Sequence, residues 1–157
     1  MVERKEEALN WNEFAEAAPD LAKAGEERFE RWGLILLGSV RKDGTPRISP
    51  VEPLIVDGEL MLGMMWQSTK ALDLLRDPRC LVHSIITDRK GNEGEFKLRG
   101  TARDISDSDV REAYAKALFE KIGFRPEEPE WHLFAIDIEH AALIAFENEQ
   151  KSVQTWP

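Results

Sequence analysis

Glu95-Phe96-Lys97-Leu98-Arg99-Gly100-Thr101-Ala102-Arg103-Asp104 is the clearest strand in the chain. Phe96, Leu98, Gly100 and Ala102 alternate with Lys97, Arg99, Thr101 and Arg103, the period of two that sets one face on a core and the other in water. Segments of the same kind lie upstream. Leu34–Val40 is an apolar run, and Asp43-Gly44 is a hairpin signal leading to Arg47–Val51. Leu54–Val56, a second turn at Asp57-Gly58, and Leu60–Met65 follow. Thr69–Asp77 reads as a helix with Leu72 and Leu75 on one face, closed by Pro78. Cys80–Ile86 is the next strand, and a loop with Gly91 and Gly94 leads back to Glu95. Downstream, Ser106 with Asp109 at i+3 resembles a capping box and predicts a helix to Ile122. Gly123–Pro129 is a loop, and Leu133–Ile138 and Ala141–Phe146 read as a final pair turning at Glu139-His140. Glu147–Gln154 reads as a polar stretch before Thr155-Trp156-Pro157. Two helices open the chain. Trp11, Phe14, Ala15 and Ala18 share a face of the first, which Pro19 stops; Asp20 is placed to cap the second, which Gly33 ends. Six or seven hairpin-connected strands with helices between them predict an antiparallel barrel with peripheral helices, not a βαβ sheet.

The chain has 157 residues and contains no repeat or Ser/Gly linker. It is expected to form one domain: a helical lead-in over 1–32, a core over 33–150 and a tail over 151–157. Thirty acidic residues against 21 basic ones give a net charge of −9 and a pI near 4.9. Such a surface repels phosphate backbones and argues against a general nucleic-acid binder. The longest apolar run, around Leu34–Leu37, is too short to span a bilayer. Residues 1–10 are charged and carry no signal core. The lone Cys80 can form neither an intrachain disulfide nor a cysteine-based zinc site. A cytoplasmic chain is expected.

Most candidate chemistry dissolves on inspection. His83, His132 and His140 lack i,i+3 or i,i+4 partners, so no metal site is expected. Cys80 beside Leu81 and Val82 reads as a small buried hydrophobe, not a nucleophile. The pairs Glu6-Glu7, Glu26-Glu27 and Glu127-Glu128 read as solvated faces. No catalytic acid, base or nucleophile is assigned. Two segments are more specific. Lys42–Val51 is a tight turn feeding a strand that carries Arg47 and Ser49. Gln67-Ser68-Thr69-Lys70 places two hydroxyls and a lysine at a helix start, where free N–H groups and a partial positive charge favour an anion.

The order of these motifs resembles the pyridoxamine 5′-phosphate oxidase-like family of flavin-binding split barrels. It runs strand, Asp-Gly turn, Arg-x-Ser-Pro strand, hairpin, Ser-Thr-Lys helix start, strand, then Phe-x-Leu-x-Gly-x-Ala strand. The match extends from Trp32 to Ile105 and over the last two strands. The resemblance implies an α+β fold, mainly β: a six-stranded antiparallel split β-barrel. It also implies an FMN-dependent oxidoreductase that forms a homodimer with FMN at the subunit interface. Arg47 is then expected on the flavin phosphate, with Ile48 and Ser49 beside the ring. Ser68, Thr69 and Lys70 are expected on the phosphate, with Met64 and Met65 flanking the ring. Glu95 stands where the family commonly has a glutamine, and Trp156 is expected beside the flavin. The apolar runs Leu34–Leu37 and Leu60–Met65 offer surface for the dimer. No arginine follows Arg125, so the Arg-x-His element that holds pyridoxamine phosphate in the true oxidases is missing. Deazaflavin and haem suit the same cations. A non-catalytic flavin-binding or sensing protein and a cofactor-free interaction barrel are the rival readings.

Overall fold

Capping decides where the first helices begin. The structure, a computed structural model, describes residues 8–126 and 130–157. Helix α1 (Trp11–Ala17) starts at Asn10, whose side chain accepts from the Glu13 N–H while Glu13 accepts from the Asn10 N–H. This capping box satisfies two otherwise orphaned donors. Helix α2 (Pro19–Trp32) follows directly. Its N-cap is Ala18, with Pro19 in the first turn, so Asp20 is not the cap: a proline there needs no N–H partner and its φ is already helical. Trp11, Phe14, Phe29 and Phe96 form a buried aromatic cluster with ring centroids 5.3–6.5 Å apart. Helical lead-in and barrel therefore share one core.

The strands are β1 (Ile35–Val40), β2 (Pro46–Val51), β3 (Pro53–Val56), β4 (Glu59–Met65), β5 (Arg79–Ser84), β6 (Glu95–Asp104), β7 (Trp131–Glu147) and β8 (Gln150–Trp156). Helix α3 (Thr69–Arg76) joins β4 to β5, and α4 (Ser108–Ile122) joins β6 to β7. Their order is β2-β1-β5-β6-β7-β4-β3, with β8 added to β7. Every pairing between these strands is antiparallel. The sheet has eight strands where six were expected.

The departures from the expected strands lie at the C-terminal end. Leu133–Ile138 and Ala141–Phe146 are one strand, not a pair. Opposite it, the register of β6 jumps between Arg99, which faces His140, and Gly100, which faces Ile138. Glu139 is thus an extra residue in β7, and such a bulge reverses which side chains face inward. Phe134, Ile136 and Ile138 enter the main core before it, and Ala141 and Leu143 after it. The broken period looks like a turn in the sequence. Gly100 sits at this point because a Cβ there would lie 1.9 Å from the Asp137 carbonyl oxygen. On its other edge β7 pairs with β4 over Trp131–Ala135 and with β8 over Ala141–Glu147. Leu9 fills part of the interval by exchanging both backbone hydrogen bonds with Ile138.

The stretch expected as a polar tail is β8. Asn148 and Glu149 both adopt positive φ, the backbone of a tight two-residue hairpin turn. A second core lies under α4, where Tyr114 and Leu118 pack with Met61, Trp131 and Leu133. That helix is capped by Asp107, which accepts from the N–H groups of Asp109 and Val110, and not by Ser106. Of the loop expected at Gly123–Pro129, residues 127–129 lie outside the described residues, as do Glu6-Glu7 and Glu127-Glu128.

Candidate functional site

Helix α3 carries Asp73 on its inner face, 3% exposed. A buried carboxylate must be paired, and three donors reach it. Ser39 Oγ of β1 lies 2.9 Å from Oδ2, Arg47 Nε of β2 2.7 Å from Oδ2, and Arg76 Nη2 3.1 Å from Oδ1. Ser39 and Arg47 are register partners, so one carboxylate binds both strands of the hairpin to the helix. Burial acts to raise the Asp73 carboxyl, but the bonds from Arg47, Ser39 and Arg76 outweigh it and hold it below the usual range. Arg76 also donates to the Val40 carbonyl.

This network joins the two segments that the sequence marks. Ser68 is the N-cap of α3, yet its hydroxyl makes no cap bond; Oγ is buried without a hydrogen-bond partner. Such an orphan is uncommon in a protein interior and calls for a partner. Asp73 holds Arg47 against the same helix, with Thr69 one turn N-terminal to Asp73 as its i,i+4 neighbour. Lys70 is half-buried and lines an adjoining cavity of about 910 Å³. Pro50, Val51, Met64, Met65, Trp66, Tyr114, Phe124 and Trp131 line it as well.

Of the expected site residues, Ser68, Thr69 and Lys70 stand at the start of α3, Arg47 is held against the middle of that helix by Asp73, and Met64 and Met65 border the cavity. Ser49 shares the inward parity of Arg47 on β2. Ile48 has the opposite parity and stands on the outer face of the sheet, 72% exposed. Glu95 and Trp156 lie elsewhere in the chain. Glu95 pairs with Lys97 at 3.2 Å and lies 3.8 Å from His83 Nε2. Trp156 packs edge-on against Phe14 of α1, 5.5 Å between centroids.

The sequence reading missed the residues that shape this region. Asp73 is hidden among the leucines of a helix. His132 is buried on β7 and stacks on Trp66, with centroids 4.6 Å apart and planes 11° apart. Its Nε2 accepts from the Gln67 N–H at 3.2 Å, so the ring is neutral with its proton on Nδ1. Burial lowers its pKa. Gln67 has a φ of 60°, a costly conformation that this bond helps hold. Tyr114 forms part of the cavity wall, and burial foremost, with the charge of Glu52, pushes its hydroxyl up to about 12. Cys80 is buried and its thiol is pushed up to about 12, mainly by desolvation; it is a packed side chain. Among the described residues no group of three or more His, Cys, Asp or Glu could hold a metal ion.

The antiparallel sheet with its inserted helices is that of a split β-barrel. Residues 21–145 match the model of the pyridoxamine 5′-phosphate oxidase family, and the chain belongs to that family. No curated protein matches the sequence. Solved structures that share the fold include three of differing description. One, from Clostridium acetobutylicum, is related to general stress protein 26 of B. subtilis in the pyridoxine phosphate oxidase family. It is 14% identical, with TM-score 0.64 over 87% of this chain and 94% of that one. ChuZ of Campylobacter jejuni is 10% identical, with TM-score 0.71 over 87% of this chain and 59% of that one. HutZ, a haem storage protein of Vibrio cholerae, is 14% identical, with TM-score 0.60 over 75% of this chain and 89% of that one.

Proposed function

We propose that this chain is a cytoplasmic, homodimeric flavoprotein that binds FMN and acts as an oxidoreductase. One observation carries the reading. The Asp73 network holds a guanidinium against helix α3, at whose start the Ser68 hydroxyl is buried and unpartnered and Lys70 lines an apolar, aromatic cavity. A phosphate monoester fits that end, since it needs several donors and more than one cation. Arg47 and Lys70 supply the cations, and Ser68 and Thr69 the hydroxyls. Met64, Met65 and Trp66 supply apolar surface for a flat ring. Bound FMN brings hydride and single-electron chemistry; the protein binds and orients it and limits access of water.

The test is a titration of the purified protein with FMN, followed by flavin absorbance and fluorescence, with riboflavin, a deazaflavin and haem in parallel. Saturable binding of FMN, much tighter than of riboflavin, supports the reading. Binding of haem alone, with a Soret band, replaces it with the second reading, which the likeness to HutZ favours. Turnover with a reduced nicotinamide and an electron acceptor separates an enzyme from a flavin-binding sensor.

A further inference from the structure

We propose that Asp73 is a positioning residue: it takes the Nε of Arg47 and so turns the terminal amino groups of that guanidinium toward a bound phosphate. The inference rests on the reading of the α3 start as a phosphate site, and it assigns the site's geometry to a residue that does not touch the ligand.

The geometry points this way. Asp73 meets Arg47 through Nε alone, at 2.7 Å. Among the described residues the two terminal nitrogens of Arg47 make no hydrogen bond, although its side chain is only 23% exposed. The Asp77–Arg79 pair is the contrast. There the carboxylate takes Nε and Nη2 together, 3.0 and 2.6 Å away, and closes the fork on itself. A guanidinium is a rigid planar fork that grips phosphate through two parallel N–H bonds. Anchoring it at Nε fixes the plane and leaves the gripping edge open. Asp73 can do this because Ser39 and Arg76 supply its other bonds and keep it ionised. Its negative charge has a cost, since it lies near the anion and opposes it. Two arginines and Lys70 outweigh it.

That cost makes the test decisive in sign. Asp73→Asn removes a negative charge beside the phosphate. If Asp73 acts only as a local charge, FMN binds tighter. If it positions Arg47, FMN binds about tenfold weaker or worse despite the more favourable charge, while riboflavin changes less than about twofold. Arg47→Lys should lose a similar factor, and the double variant should be no worse than Arg47→Lys alone, because both remove one unit. Unchanged or tighter FMN binding, or equal losses for both ligands, overturns the proposal. Ser39→Ala keeps every charge and serves if Asp73→Asn does not fold. Weaker FMN with unchanged riboflavin then supports the proposal, and unchanged FMN counts against it. A readout without cofactor is the Arg47 Nε–H resonance of the full chain, expected far downfield in the wild type and displaced in Asp73→Asn; an undisplaced signal overturns the proposal. If the wild type does not distinguish FMN from riboflavin while that resonance moves, the phosphate-site reading fails and the ion pair stands.

Discussion

Protonating His132 costs the hydrogen bond that its Nε2 accepts from Gln67, and with it the hold on a turn whose φ is unfavourable. The charges that bear on the ring are Asp104, which favours the cation, and Arg111, which disfavours it; burial, together with Arg111, outweighs Asp104 and lowers the pKa. The sign follows. Above the unfolded value of about 6.5 both states are neutral and the contribution to stability is complete. As pH falls below that value the unfolded chain takes a proton that the folded chain resists, and stability is lost. We therefore expect the melting temperature to fall between pH 7 and pH 5, and His132→Gln to flatten that slope; a slope unchanged in the variant would place its source elsewhere. Lys70→Ala should weaken FMN by about 1.5–3 kcal/mol and riboflavin little, if Lys70 bonds the phosphate, as parallel titrations will show. Ser68, Thr69 and Lys70 stand out in the sequence as two hydroxyls and a cation at a helix start in an acidic chain, and Arg47 as a cation on the strand that follows a tight turn. Asp73 does not, since an aspartate within Leu72–Leu75 looks like any solvated helix residue until its neighbours from β1 and β2 are known. His132 was equally silent: its partners lie 65 and 66 positions away in sequence.

Among the elements, β6 was legible in full because its two faces differ cleanly, one in the core and one in water. Strand β7 was not. Its first half is buried on both faces, between the barrel core and the α4 core, so alternation has no polar side to show. The bulge at Glu139 then inverts its parity. Strand β8 was missed for the opposite reason, being exposed along nearly its whole length. Gly100→Ala tests the bulge, since its Cβ would meet backbone that cannot turn aside. A loss of about 1–3 kcal/mol or more in urea unfolding is expected, whereas a neutral result would show that β6 and β7 can shift register there. Trp156→Ala should cost about 2–3 kcal/mol, somewhat below a fully buried tryptophan, because the side chain packs on Phe14 and its backbone pairs with Ala141. Deleting residues 152–157 should therefore lower stability and not merely expose a cofactor. Equilibrium unfolding of the truncated chain will show this.

For the whole molecule, the outer face of β2, β1 and β5 sets an expectation about assembly. Gly38 is the register partner of Ile48 on one side and Leu81 on the other. Ile48 and Leu81 are 72% and 55% exposed, and the Leu81 side chain leans over the bare Gly38 backbone between them, so the three form one exposed apolar row. The β1 core residues Ile35 and Leu37 are fully buried, so it is this outer row, not the whole Leu34–Leu37 run, that offers surface to a second copy. Each chain carries a net charge of −9, which opposes association of like chains. Screening that repulsion should favour an apolar contact, since the Debye length shrinks from about 30 Å at 0.01 M salt to about 8 Å at 0.15 M. Sedimentation should then show a species of twice the 17.9 kDa chain mass, held more tightly as salt rises, whereas a dimer joined by ion pairs would loosen. Ile48→Asp places a charge in this apolar row and should yield monomers with an unchanged circular dichroism spectrum. If FMN sits between subunits, its affinity for that variant must fall too and must depend on protein concentration, because binding and assembly are then linked. A monomeric variant that binds FMN as tightly as the wild type would place the cofactor within one protomer.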